Sequence, residues 1–278
     1  MTDTQRQRWR SACPTGNPGY TAPMTAPTAQ RISYGPDAVQ FGDLYPASGE
    51  RRPGTVVLLH GGFWRPAYGL DYFDPNARDL AARGWPVWSL EYRRNGQGAW
   101  PATLEDVAAG VDHLRELGDA VDTGRVVVVG HSAGGHLAAW VAGRASSIPG
   151  TVGARPGVPV HGAVSLAGVL DLARAAEIRT GEGATQQFLG GEPDEVPDRY
   201  AAADPRARLP IAVPVRCVHG EADENVPHEQ SVRYVEAARA AGDDATLRSV
   251  EGDHFTLVDP TGPQWRVVVE EITGLLEP

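Results

Sequence analysis

A chain of 278 residues, 41% hydrophobic and 22% charged, has an ordinary globular composition and enough length to bury one large α/β core. The net charge of −10 argues against nucleic-acid or anionic-membrane partners. All 25 basic residues are arginine, which excludes lysine-based mechanisms, and two cysteines, Cys13 and Cys217, are too few for a disulfide framework, so a reducing cytoplasm is the expected compartment.

Met1 to Arg10 is polar and lacks the apolar core of a signal peptide, and no apolar run approaches the ~18 residues of a membrane span. Residues 1–29 are rich in Pro, Thr, Ala, Gln and Gly and read as a flexible arm. The alternative is an arm lying over the active site and anchored by Trp9 or Tyr20. Arg31–Tyr34 and Ala38–Tyr45 flank the turn Gly35-Pro36-Asp37 as an antiparallel pair. Thr55–His60 reads as a buried strand running into Gly61-Gly62-Phe63-Trp64. Asp71–Arg83 has helical spacing and is stopped by Gly84. Trp85–Glu91 is a strand, and Pro101 opens a helix with Leu104, Val107, Ala108, Val111 and Leu114 on one face.

Val126–Val129 is a β-branched run suited to a strand buried on both faces, and helical spacing of small and apolar residues resumes at Leu137. Between them lies Gly130-His131-Ser132-Ala133-Gly134, of the form G-x-S-x-G. A serine on a sharp strand-to-helix turn needs tiny neighbours two residues either side, and the helix start supplies backbone N–H groups beside it. Ala163–Ala167 is a strand leading to Asp171, which reads as a helix cap. Residues 170–210 have weak periodicity and read as a lid-like insertion. Strands at Val213–Val218 and Thr246–Val250 alternate with helices at His228–Ala241 and Pro263–Leu276.

This alternation predicts an α/β fold with a mostly parallel central sheet and helices on both faces in residues 30–278. Ligands of such sheets sit outside the carboxyl ends of the strands, where Gly62, Ser132, Asp223 and His254 all fall. A serine hydroxyl becomes a nucleophile when a base takes its proton and an acid orients that base. The loop His219-Gly-Glu-Ala-Asp223 offers Asp223 as the acid, with Glu221 and Glu224 as neighbouring alternatives. His254 is the single histidine of the loop Glu251-Gly-Asp-His-Phe255 and is the expected base, with His228 as competitor. Asp253 reads as a loop-stabilising carboxylate, His60 as a loop brace, and His131 and His136 as packing or hydrogen-bonding residues. Gly62, Phe63 and Ala133 are the expected N–H donors of an oxyanion hole. Trp64, Tyr68, Tyr72, Phe73 and Trp100 stand near this edge as either substrate-binding walls or core.

The order Ser132, Asp223, His254, with His60-Gly-Gly-Phe-Trp64, Gly130-His-Ser-Ala-Gly134 and Gly252-Asp-His254, resembles the α/β-hydrolase superfamily over about residues 30–278. Within it, the chain is similar to the hormone-sensitive-lipase-like branch and its kynurenine formamidase (arylformamidase) relatives, on the H-G-G-x-W pentapeptide. The resemblance implies a cofactor-free serine hydrolase acting on a small ester or an N-formyl arylamide, with no metal. The alternatives are a carboxylesterase, an acyltransferase on the same triad and, less favoured, a non-catalytic ligand-binding protein on the same fold.

Overall fold

The computed structural model describes residues 28–98 and 100–277. The expected arm over 1–29, with Trp9, Cys13 and Tyr20, lies outside the described residues except for its last two positions. Eight strands form one sheet: β1 Gln30–Ser33, β2 Phe41–Tyr45, β3 Thr55–Leu59, β4 Val87–Leu90, β5 Val126–His131, β6 Gly162–Leu166, β7 Val215–Gly220 and β8 Ala245–Val250. Their spatial order is β1-β2-β4-β3-β5-β6-β7-β8. β1 and β2 pair antiparallel at one end, and β2 joins β4 antiparallel. All remaining pairings are parallel. The carboxyl ends of β3, β5, β7 and β8 therefore share one edge.

The valine run shows why both faces must be covered. Val126 and Val128 pack in a core with Leu104, Val107 and Leu137, whereas Val127 and Val129 pack in a second core with Leu80, Trp265 and Ile272. This is the two-residue period of a strand applied to a sheet with no wet face. Helices α1 Asp74–Ala82 and α8 Pro263–Leu276 line one face, and α2 Ala102–Asp112 and α3 Ala133–Ala142 line the other. A third cluster joins Val215 and Cys217 of β7 to Tyr234, Val235 and Ala238 of α7 Glu229–Ala240. Burial raises the Cys217 thiol to about 12, so it behaves as a small core residue. No helix among the described residues is long and apolar enough to cross a membrane.

One element differs from expectation. The helix expected over Asp71–Arg83 divides into a 3₁₀ turn, Leu70–Phe73, and α1, with Pro75 in its first turn. Proline lacks an N–H and its ring clashes with the carbonyl four residues back, so the α-helix begins beside it rather than three residues earlier. Residues 170–210 hold three short helices, α4 Leu172–Glu177, α5 Thr180–Leu189 and α6 Pro197–Ala203. Left-handed Gly181, Glu182 and Gly183 and the prolines at 193 and 197 interrupt any apolar period long enough to read in the sequence. Within the segment the Asp204 carboxylate accepts the Leu172 N–H at 3.0 Å, and the segment is moored to α3 by His136 Nε2 and Trp140 Nε1 on the carbonyls of Ala203 and Ala202, both at 2.9 Å.

Candidate active site

Ser132 occupies the single residue between β5 and α3, with φ 59° and ψ −119°. A non-glycine residue in this region is strained, and such strain persists only where the surroundings enforce it. Here they do. A Cβ on Gly130 would stand 2.0 Å from the Gly134 carbonyl oxygen, and one on Gly134 would stand 2.0 Å and 2.5 Å from the carbonyl oxygens of Leu59 and His60. The elbow is closed against backbone, which cannot swing aside as a side chain can. The Ser132 N–H donates to Leu166 O at 2.8 Å, and its hydroxyl is buried without a hydrogen-bond partner among the described residues. Gly134→Ala is expected to cost at least about 3 kcal/mol and lower Tm by roughly 6 °C or more, because overpacking is met here by main chain. A wild-type melting curve for that variant would contradict this account of the elbow.

Asp223 and His254 come from the loops after β7 and β8. His254 Nδ1 stands 2.7 Å from Asp223 Oδ2, and a carboxylate only accepts, so the proton lies on Nδ1 and Nε2 is the basic nitrogen. Asp223 Oδ1 accepts the N–H groups of Asn225 (2.8 Å) and Val226 (2.9 Å), and His219 Nε2 lies 3.2 Å from Oδ2. Burial opposes the Asp223 charge, but the His254 and His219 rings and the backbone donors outweigh it and hold the carboxyl far below its usual range. Of the sequence alternatives, Glu221 and Glu224 are not partners of His254. His228 precedes α7 and binds Ser249 Oγ at 2.8 Å, and Asp253 accepts the Phe255 and Thr256 N–H groups.

The loop after β3 supplies the third part. Gly62, Phe63 and Trp64 have φ of 111°, 54° and 53°, an unusual succession that turns the main chain sharply. The N–H groups of Gly62 and Phe63 find no acceptor among the described residues, and Ala133 opens α3 with the orphan N–H of a helix start. His60 braces this loop from below. Its Nδ1 lies 2.8 Å from Gly61 O, its Nε2 lies 2.9 Å from Glu91 Oε1, and its ring stacks on Tyr92 at 4.3 Å. Arg94 Nη1 pairs with the same Glu91 oxygen at 2.7 Å.

Burial pushes the Glu91 carboxyl up, but the His60 ring and the Arg94 guanidinium prevail and set its pKa at about 2, below an ordinary 4.5. A depressed folded-state pKa means stability that is present above the unfolded value and lost as pH falls through the folded one. The difference corresponds to about 3 kcal/mol, lost between roughly pH 4.5 and pH 2. Glu91→Gln is expected to flatten that limb of the stability profile, measured by urea midpoints across pH. An unchanged acid limb would show that other carboxylates set it.

The aromatic residues divide. Trp64 is enclosed, stacked on Phe188 of α5 at 4.6 Å and edge-on to His136 at 5.2 Å, so the insertion packs directly on the loop after β3. Trp100 meets Phe188 edge-on at 6.1 Å and is partly exposed, and Tyr68 abuts Gly62, where a Cβ would stand 2.4 Å from its own. Phe73 is fully buried in the core beneath α1, the core one of its two readings. The Tyr72 hydroxyl is turned inward, accepting the Gly61 N–H and lying 3.1 Å from His131 Nδ1. Phe188 had no sequence signal, as one aromatic in a segment without period. His219 and Tyr72 were visible as residues but not as hydrogen-bonding partners.

An eight-stranded, mostly parallel sheet with a Ser-bearing elbow after β5 and an Asp–His pair after β7 and β8 defines an α/β-hydrolase. The chain belongs to the BD-FAE family, whose profile matches residues 43–237. It is similar to Esterase LipQ of Mycobacterium tuberculosis (strain ATCC 25618 / H37Rv), with 30% identity over 233 residues covering 76% of this chain and 52% of that protein. Esterase LipC of the same strain is 28% identical over 223 residues, covering 76% and 55%. The chain thus spans about half the length of these curated relatives. Among solved structures, the fold is shared with a truncated carbohydrate esterase from gut microbiota at TM-score 0.78 and 22% identity, covering 92% and 99% of the two chains. It is shared too with Esterase B from Lactobacillus Rhamnosis (HN001) at TM-score 0.82 and 19% identity, covering 98% and 92%.

Proposed function

We propose that this protein is a serine carboxylesterase acting on small esters through Ser132, His254 and Asp223. The observation that carries the reading is the Asp223–His254 pair at 2.7 Å on the sheet edge that also bears the strained Ser132 elbow. His254 Nε2 takes the Ser132 proton as Oγ attacks the ester carbonyl. The Gly62, Phe63 and Ala133 N–H groups receive the oxyanion, and Asp223 stabilises the imidazolium. His254 then returns the proton to the leaving alcohol, and water cleaves the acyl-enzyme by the same steps. Burial of Ser132 and His254 keeps these charges in a low dielectric, where fixed donors act more strongly than in water.

The H-G-G-F-W segment favours a second reading, cleavage of an N-formyl arylamide. Relatives that are esterases by name support the ester reading more. Turnover of a p-nitrophenyl ester series beside N-formyl-kynurenine separates the two, and short esters are expected to win in kcat/KM. A formyl substrate ahead by orders of magnitude would reverse the assignment. A product mixture dominated by acyl transfer to added alcohol would make the enzyme an acyltransferase. A phosphonate ester is expected to add one mass equivalent at Ser132, and labelling elsewhere would end the triad reading.

A further inference from the structure

Two buried groups beside the site are not used by the mechanism above, yet they touch both of its halves. His131 Nε2 lies 2.9 Å from the backbone carbonyl of His254, and His131 Nδ1 lies 3.1 Å from the Tyr72 hydroxyl. That hydroxyl in turn accepts the N–H of Gly61, the residue just before the expected oxyanion donors. The direction of each bond follows from its ends. A carbonyl only accepts, so His131 carries its proton on Nε2. Burial, with the neighbouring His254 ring, drives the His131 pKa well below its usual value and keeps the ring neutral, so Nδ1 accepts and Tyr72 donates. Proton order is then fixed along the whole chain, from Gly61 N–H to Tyr72 O–H, to His131 and to the His254 carbonyl.

We propose that Tyr72 and His131 are positioning residues, forming one hydrogen-bonded relay that fixes the oxyanion loop and the His254 loop relative to each other across the Ser132 elbow. The relay also turns the Gly61 N–H away from the site, which leaves the following N–H groups of Gly62 and Phe63 for the oxyanion. Gly61 sits tightly enough to feel any slip, since a Cβ there would stand 2.6 Å from His131 O and 2.9 Å from Ser132 Cβ. Misplacement of catalytic groups by a fraction of an ångström lowers the rate of the chemical step more than substrate affinity.

The proposal rests on the triad and oxyanion reading above, so Ser132→Ala is run beside it. Tyr72→Phe keeps the ring and removes the hydroxyl. It is expected to lower kcat about 10- to 100-fold with KM within about twofold, and to weaken binding of a boronic acid oxyanion mimic by the same factor as kcat. His131→Asn retains an acceptor near the Nδ1 position but cannot reach the His254 carbonyl. The double variant Tyr72→Phe/His131→Asn is expected to be no slower than the worse single variant, as members of one unit are. Unchanged kcat in Tyr72→Phe, losses that multiply in the double variant, or a boronate affinity that stays at wild type would overturn the relay. If Tyr72→Phe does not fold, His131→Asn against His131→Phe carries the test: about tenfold lower kcat in the Phe variant supports the relay, and equal kcat refutes it. Should Ser132→Ala retain activity, it is the triad reading that fails; if Ser132→Ala is dead and Tyr72→Phe is normal, only the relay fails.

Discussion

Ser132→Ala is expected to reduce kcat/KM toward a short p-nitrophenyl ester by at least about 10⁴-fold, because the covalent route disappears while the oxyanion donors and substrate contacts remain. The same substitution is expected to leave Tm unchanged or to raise it. The hydroxyl is buried with no partner among the described residues, so its removal breaks no bond and relieves an unsatisfied polar atom. Alanine meets the same backbone constraint at φ 59° that serine does. Inactivity together with undiminished stability is the mark of a residue kept for chemistry at some expense to the fold. A fall in Tm of several degrees with partial activity would instead make Ser132 a structural residue. Steady-state kinetics and a thermal melt on the same preparation decide between these.

Asp223→Asn is expected to lower kcat by about 10⁴-fold, through the tautomer of His254. The amide can seat itself in one way only. Oδ1 faces the backbone N–H groups of Asn225 and Val226, which cannot become acceptors, so the amide oxygen must take that side. The amide NH₂ then replaces Oδ2 and confronts His254 Nδ1 at 2.7 Å and His219 Nε2 at 3.2 Å. His254 must accept at Nδ1 and move its proton to Nε2, the nitrogen that has to be bare to deprotonate Ser132. The remaining activity is expected to rise with pH as hydroxide replaces the missing base, and a pH–rate profile reads this directly. Retention of more than about a tenth of wild-type kcat would show that His254 is not oriented by Asp223.

Much of this site is determined by the sequence alone. Strand-helix alternation, four consecutive valines and glycines two residues either side of Ser132 are local signals, and each has a local cause: burial on two faces, a strand period and backbone contact at 2.0 Å. Chain order then places Asp223 and His254 on the same edge, since parallel strands present all their carboxyl ends together. What only the tertiary structure decided are contacts between segments far apart in sequence. Tyr72 and Phe73 read equally as wall or core until the Tyr72 hydroxyl meets Gly61 and His131 and the core closes over Phe73. Phe188 lies in a segment whose left-handed turn and prolines erase any period, yet it packs on Trp64 beside the site. Periodicity and spacing report which face of an element is buried, because that depends on neighbours a few residues away. They carry no information about which distant partner a buried polar or aromatic group will find, because that is settled by the packing of whole layers.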